Sequence, residues 1–223
     1  MSTDQKKIAV VLAGCGVFDG SEIHEATCAL LNIAAKGAVY QCFAPNAKQT
    51  AVINHLTHTE EKEQSRNMLE EAARIARGNI KDLKEFNPDH FDAVIFPGGQ
   101  GAAKNLCNFA VKGAACDVNE DVQKALEAAY AKHLPIGAIC IAPALIARVL
   151  GKNGITVTIG NDVTTAAQIE KTGEHHHNCK VDDAYVDDTH KIVSTPAYML
   201  ATSIAEVNAG IARLVEEILK LCR

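Results

Sequence analysis

Short, nearly continuous apolar runs alternate with longer amphipathic stretches along the whole chain, and this alternation narrows the possible folds more than any other feature. Six runs read as strands: Lys7–Ala13 (KIAVVLA), Ala38–Phe43 (AVYQCF), Ala93–Phe96 (AVIF), Ile136–Ile139 (IGAI), Thr156–Ile159 (TVTI) and Lys191–Ser194 (KIVS). Unbroken Val and Ile content suits strands covered on both faces, as in a parallel sheet. Between them, Ser21–Lys36, Arg66–Ala76, Asn119–Lys132, Pro143–Leu150 and Ile204–Leu221 read as helices. In the first of these Ile23, Ala26, Leu30 and Ile33 share a stripe, and Gly37 supplies a left-handed residue to end it. The pattern predicts a doubly wound α/β sandwich with a mostly parallel sheet. No linker, repeat or low-complexity break interrupts it, so residues 1–223 are expected to form one domain. The stretch Thr165–Asp188 reads as irregular or hairpin-like.

Composition removes several classes of function. At 223 residues and 48% apolar content the chain can bury a sizeable core. Its longest apolar runs, Ile8–Ala13 and Ile136–Val149, are too short or too interrupted to span a bilayer. Met1–Lys7 lacks the regions of a secretory signal, so a cytoplasmic location is expected. A net charge of −5 without a basic stripe, and the absence of Trp, argue against nucleic acid as a partner. Eight cysteines occur, none in a C-x-x-C pair, which disfavours a zinc ribbon or a thioredoxin-type centre. In a reducing compartment their default is a free thiol.

One cysteine differs from the rest. In doubly wound folds, ligands bind at the carboxyl ends of the strands, which here means just after Ala13, Phe96 and Ile139. Cys140 follows the last of these, and Ile141-Ala142-Pro143-Ala144 reads as the first turn of a helix, where Pro is favoured. The small residues Ala138 and Ala142 flank it at the spacing a nucleophile elbow requires. Such an elbow exposes the thiol above the sheet and aims a helix N-terminus at it, favouring thiolate. The plainer alternative is a buried thiol at a strand end. Cys15, Cys28, Cys42, Cys107, Cys116 and Cys222 have no such pattern and read as structural.

The run Phe96-Pro97-Gly98-Gly99-Gln100-Gly101 follows another strand. Its glycine amides and the amide of Ile141 suit an oxyanion hole; the run lacks both the P-loop ending and the dinucleotide fingerprint. After the first strand, Asp19 and Glu22 have capping-box spacing, and Glu25 lies one turn further on. That spacing lets Glu22 serve only the helix start, while Glu25 would act as an acid/base if desolvated; the plainer reading of each is a helix-surface carboxylate. His175-His176-His177 with Cys179, Asp182 and Asp183 has metal-binding composition, but successive residues of an extended segment alternate sides, and a solvated loop is the simpler reading.

The segments GCGVFDGSEIHEA, FPGGQGAAKNLCNFA, ICIAPA and KIVSTPAYMLATSIAE, in this order, resemble the ElbB (enhancing lycopene biosynthesis, or glyoxalase ElbB) branch of the PfpI-type class I glutamine amidotransferase-like superfamily. The likeness runs from about Lys7 to the last helix. It implies a flavodoxin-like sandwich, a homodimer, a reactive cysteine at Cys140, and an oxyanion site formed by Gly98, Gly99 and the Ile141 amide. It also implies a carboxylate in the first helix beside the thiol: the distance to Gly37 points to Glu25, the Asp-then-Glu order to Glu22. Protease-like relatives carry His directly after the nucleophile, where this chain has Ile141. Amidotransferases carry a late His and Glu, where it has Pro196-Ala197-Tyr198. His175 is the best remaining histidine. The expected activity is that of a glyoxalase III type enzyme that turns glyoxal into glycolate without glutathione, metal, nucleotide or other cofactor. The alternative is a non-catalytic redox-sensing or accessory protein that affects isoprenoid biosynthesis.

Overall fold

A computed structural model describes residues 5–222; Met1–Asp4 and Arg223, the ends of the expected domain span, lie outside the described residues. In chain order the elements are β1 (Lys7–Val11), α1 (Ile23–Ala35), β2 (Val39–Ala44), β3 (Ile53–Asn54), β4 (Thr59–Glu60), α2 (Met68–Ile75), β5 (Ile80–Asp82) and β6 (Ala93–Phe96). There follow α3 (Gln100–Lys104), α4 (Phe109–Lys112), α5 (Glu120–Ala131), β7 (Ile136–Ile139), α6 (Ala142–Leu150), β8 (Thr156–Val157), α7 (Val163–Glu170), β9 (His175–His176), β10 (Tyr185–Asp187), β11 (Ile192–Thr195) and α8 (Ile204–Leu221).

The central sheet has the order β10-β11-β7-β6-β1-β2-β5. All its pairings are parallel except β10 with β11. Apart from edge strand β5, the parallel strands run β2-β1-β6-β7-β11, the flavodoxin-like order. Why both faces are apolar is visible in β1 and the residues after it. Ile8, Val10 and Leu12 enter the core on one side of the sheet, and Ala9, Val11 and Ala13 the core on the other. The strand period of two divides a continuous apolar run between two layers. Helices α1 and α8 pack together and supply Ala26, Ile33, Val207, Ile211 and Leu214 to the first core; α5 and α6 supply Leu126 and Leu145 to the second. The connections from β1 and β6 leave toward opposite faces, so a crevice opens between their carboxyl ends.

Two expectations fail locally. Thr156–Ile159 is not a strand of the central sheet: only Thr156–Val157 is extended, and it pairs with β9 in a separate two-stranded sheet. Its amides are taken by side chains rather than by a neighbouring strand, Thr156 N–H by Asp187 Oδ2 at 2.8 Å and Thr158 N–H by Ser194 Oγ at 2.8 Å. Thr165–Asp188 is not irregular throughout. Parts of it form α7, β9 and β10, and α7 is capped by the Asp162 side chain on Thr165 N–H at 2.7 Å; the rest is irregular as expected.

Candidate active site

The elbow forms where β7 meets α6. Cys140 is held at φ +61°, a left-handed conformation in which a non-glycine residue is strained, and its N–H donates to Thr195 O at 2.9 Å. Ala138 and Ala142 are fully buried, so the tight turn has no room for larger side chains there. Pro143 sits in the first turn of α6. The thiol does not stand exposed above the sheet. Cys140 is only 7% exposed, and burial, reinforced by Glu25, pushes its thiol well above the usual value. The Gly99 and Ile141 amides point at the sulfur and pull the other way without winning. The expectation that the helix N-terminus alone yields a thiolate is therefore corrected: desolvation outweighs a few amide dipoles.

Glu25 is the carboxyl beside this thiol. It lies in the first turn of α1, is completely buried, and is hydrogen-bonded to Cys140. Its Oε2 accepts from Gly98 N–H at 3.1 Å and its Oε1 from Tyr198 N–H at 3.2 Å. Burial and the neighbouring Glu22 carboxylate push it up to about 8. Near neutral pH it is thus largely a carboxylic acid, able to donate to sulfur. Glu22 does not take the second half of a capping box. It is itself the N-cap of α1 and accepts from Glu25 N–H at 2.7 Å, while Asp19 Oδ2 is bound by Ile53 N–H at 2.7 Å.

The two glycines divide their roles. Gly99 is at φ +92° and turns its amide toward the thiol. The amide of Gly98, expected in the oxyanion hole, is engaged by Glu25 instead, and the Gly98 carbonyl accepts from Glu22 N–H at 3.0 Å. Gly98 thus locks the start of α1 to the glycine loop, and the donors facing sulfur are Gly99 and Ile141.

A cleft of about 360 Å³ opens onto the thiol. Val17, Phe109, Ala110 and Met199 are among its apolar walls; Glu22, Gln100, Thr165 and Tyr198 are its polar ones, and among the described residues no Lys, Arg or His lines it. His175 is exposed on β9 and does not line this cleft. The carboxyl clamp from Tyr198, whose hydroxyl meets His24 Nδ1 at 2.7 Å, was missed in the sequence. Its donor is a backbone amide, which leaves no residue-type signal.

No family model matches the chain. It is 43% identical over 224 residues to the human "Glutamine amidotransferase-like class 1 domain-containing protein 3, mitochondrial", covering 96% of this chain and 83% of that protein. The chain belongs to the glutamine amidotransferase-like class 1 proteins. Among solved structures of this kind, an isoprenoid biosynthesis protein with an amidotransferase-like domain from Ehrlichia chaffeensis superposes with a TM-score of 0.92 at 35% identity, covering 98% of this chain and 100% of the other. A DJ-1 superfamily protein from Salmonella typhimurium shares the fold at 20% identity and a TM-score of 0.54, over 98% of this chain and 89% of that one. The human member is named as mitochondrial, which does not match the cytoplasmic expectation. No helix among the described residues is long and apolar enough to cross a membrane.

Proposed function

We propose that this family member is a cofactor-independent glyoxalase of the ElbB branch, converting glyoxal into glycolate through a cysteine hemithioacetal. The observation that carries the reading is the buried hydrogen bond between Glu25 and Cys140, with the Gly99 and Ile141 amides aimed at the same sulfur. Aldehyde addition needs a nucleophile, a local proton carrier and donors for the developing oxyanion.

Cys140 sulfur bonds to one carbonyl carbon of glyoxal as its proton passes to the Glu25 carboxylate. The carbonyl electron pair moves onto oxygen, which the Gly99 and Ile141 amides hold until Glu25 passes it the proton taken from the thiol. Glu25 then takes the C–H proton of the hemithioacetal and returns a proton to the neighbouring carbon, leaving a glycolyl thioester. Water breaks the carbon–sulfur bond, releasing glycolate and restoring the thiol. Removal of early glycation adducts from proteins would be the same aldehyde chemistry seen indirectly.

A Cys-His-Glu amidase fits less well, because no His among the described residues lines the cleft. A sensor based on Cys140 oxidation is disfavoured by the burial that raises its thiol. An accessory role draws support from the description of the Ehrlichia protein. The deciding assay is glycolate formation from glyoxal, without glutathione, by wild type and Cys140→Ser. Glycolate that depends on Cys140 supports the enzyme. Folded, reduced wild type that makes none would leave the accessory role as the better reading.

A further inference from the structure

A pair of sulfurs flanks α4, which lines one wall of the cleft. Leu106–Asn108 and Asp117–Asn119 run antiparallel: Cys107 forms a bridge with Val118, Asn108 N–H donates to Asp117 O at 3.1 Å, and Asn119 N–H to Leu106 O at 2.9 Å. This register sets Cys107 and Cys116 diagonally on one face of the ribbon. The two thiols shift one another's acidity, and Cys107 Sγ donates to Ala102 O at 3.3 Å. Both residues are buried, Cys116 completely. Arg148 Nε donates to Cys116 O at 2.6 Å, which brings a guanidinium next to this sulfur. Between the two cysteines lies α4, whose Phe109 and Ala110 line the Cys140 cleft.

We infer that Cys107 and Cys116 are a disulfide-forming site that staples the α4 strap against the nucleophile cleft when the protein meets hydrogen peroxide. The Cys107 thiol and the Arg148 charge make Cys116 the more acidic of the two, hence the attacking sulfur. Cys116 thiolate takes one oxygen from the peroxide, giving a sulfenic acid and hydroxide. Cys107 sulfur then displaces the sulfenic hydroxyl, which leaves as water with the Cys107 proton. Two thiols and one peroxide thus become one disulfide and two waters. The oxidant must be small, because both thiols are shielded from bulky disulfide reagents. Diagonal positions of such a ribbon lie about 7–8 Å apart, so a sulfur–sulfur bond also draws its two short strands slightly together.

The chain is well placed for the test. Lys104, Lys112 and Lys124 put Cys107 and Cys116 in separate tryptic peptides, so a bond between them is seen directly as a linked pair. Wild-type protein treated with hydrogen peroxide, alkylated and digested without reductant is expected to give that pair. It should be lost on adding dithiothreitol and absent from Cys107→Ala. The unfolding midpoint of the peroxide-treated protein should rise by roughly 5 °C and fall back on reduction. A map of folded wild type in which peroxide leaves both thiols free, or converts Cys116 to sulfinic acid with no linked pair, overturns the inference. Because the map needs only wild type, poor folding of the variant does not cloud it.

Discussion

The Gly98 amide donates to Glu25 Oε2 at 3.1 Å, so a loop glycine fixes the carboxyl that meets the nucleophile. A side chain at this glycine has no space. A Cβ there would lie 2.6 Å from Cys140 Cβ, 2.7 Å from Glu25 Oε2 and 2.8 Å from Ile139 O. Gly98→Ala is therefore expected to move Glu25 relative to the sulfur, lowering kcat/KM for glyoxal about 10²-fold. Chemical denaturation should show a loss of about 1–3 kcal/mol. An alanine variant with wild-type kinetics would mean that this contact does not set the site's geometry.

Glu25→Gln keeps the size and one of the two acceptor oxygens but removes the titrating proton. Glu25 lies at about 8 in the folded protein, and its carboxylate form is the one that accepts the Cys140 proton. Wild-type turnover should thus rise with pH through about 8 and level off above it. The Gln variant should lose about 10²–10⁴-fold and lack that limb. A pH–rate profile of both proteins decides it; the same limb in the variant would assign the titration to another group.

Glu22 acts on the same profile from one step away. Its carboxylate is the second cause, after burial, that raises Glu25. Removing the charge in Glu22→Gln should bring Glu25 down and shift the limb to lower pH, while the amide oxygen can still cap Glu25 N–H. The shift itself is the readout, since loss of the cap alone would lower stability without moving the limb.

How much of this was legible in the sequence depended on whether the cause was local. The Cys140 elbow could be read because the turn needs small residues at Ala138 and Ala142 and tolerates Pro143, all within a few positions. The sheet could be read because Ile8, Val10 and Leu12 interleave with Ala9, Val11 and Ala13 in one buried run. What stayed hidden comes from distant partners. Tyr198 N–H reaches Glu25 across 173 positions, and Gly98 turned out to serve the carboxyl rather than the oxyanion because α1 lies against its loop. Edge strand β5 is three residues with no fully buried position, too short to show a period. Between Glu22 and Glu25 the sequence could not choose, because a tertiary contact rather than spacing separates them: both are buried, but only Glu25 contacts the sulfur.

Glu174 gives a pH dependence of stability that is independent of catalysis. It is 3% exposed, and although the Val157 amide faces it, neither carboxyl oxygen makes a hydrogen bond of ordinary geometry. Burial first, and then Glu170, push it up to about 8. Its folded value is above its unfolded one, so the folded state holds the proton more tightly. The unfolding free energy should then fall as pH rises from the ordinary carboxylate range to about 8, and change little beyond. Glu25 contributes with the same sign, so the two are separated by substitution. Glu174→Gln mimics the protonated form; it should match wild type at pH 5 and exceed it by about 2 kcal/mol at pH 9 in urea melts. A variant less stable than wild type at both pH values would mean that the carboxylate is held by favourable contacts rather than tolerated.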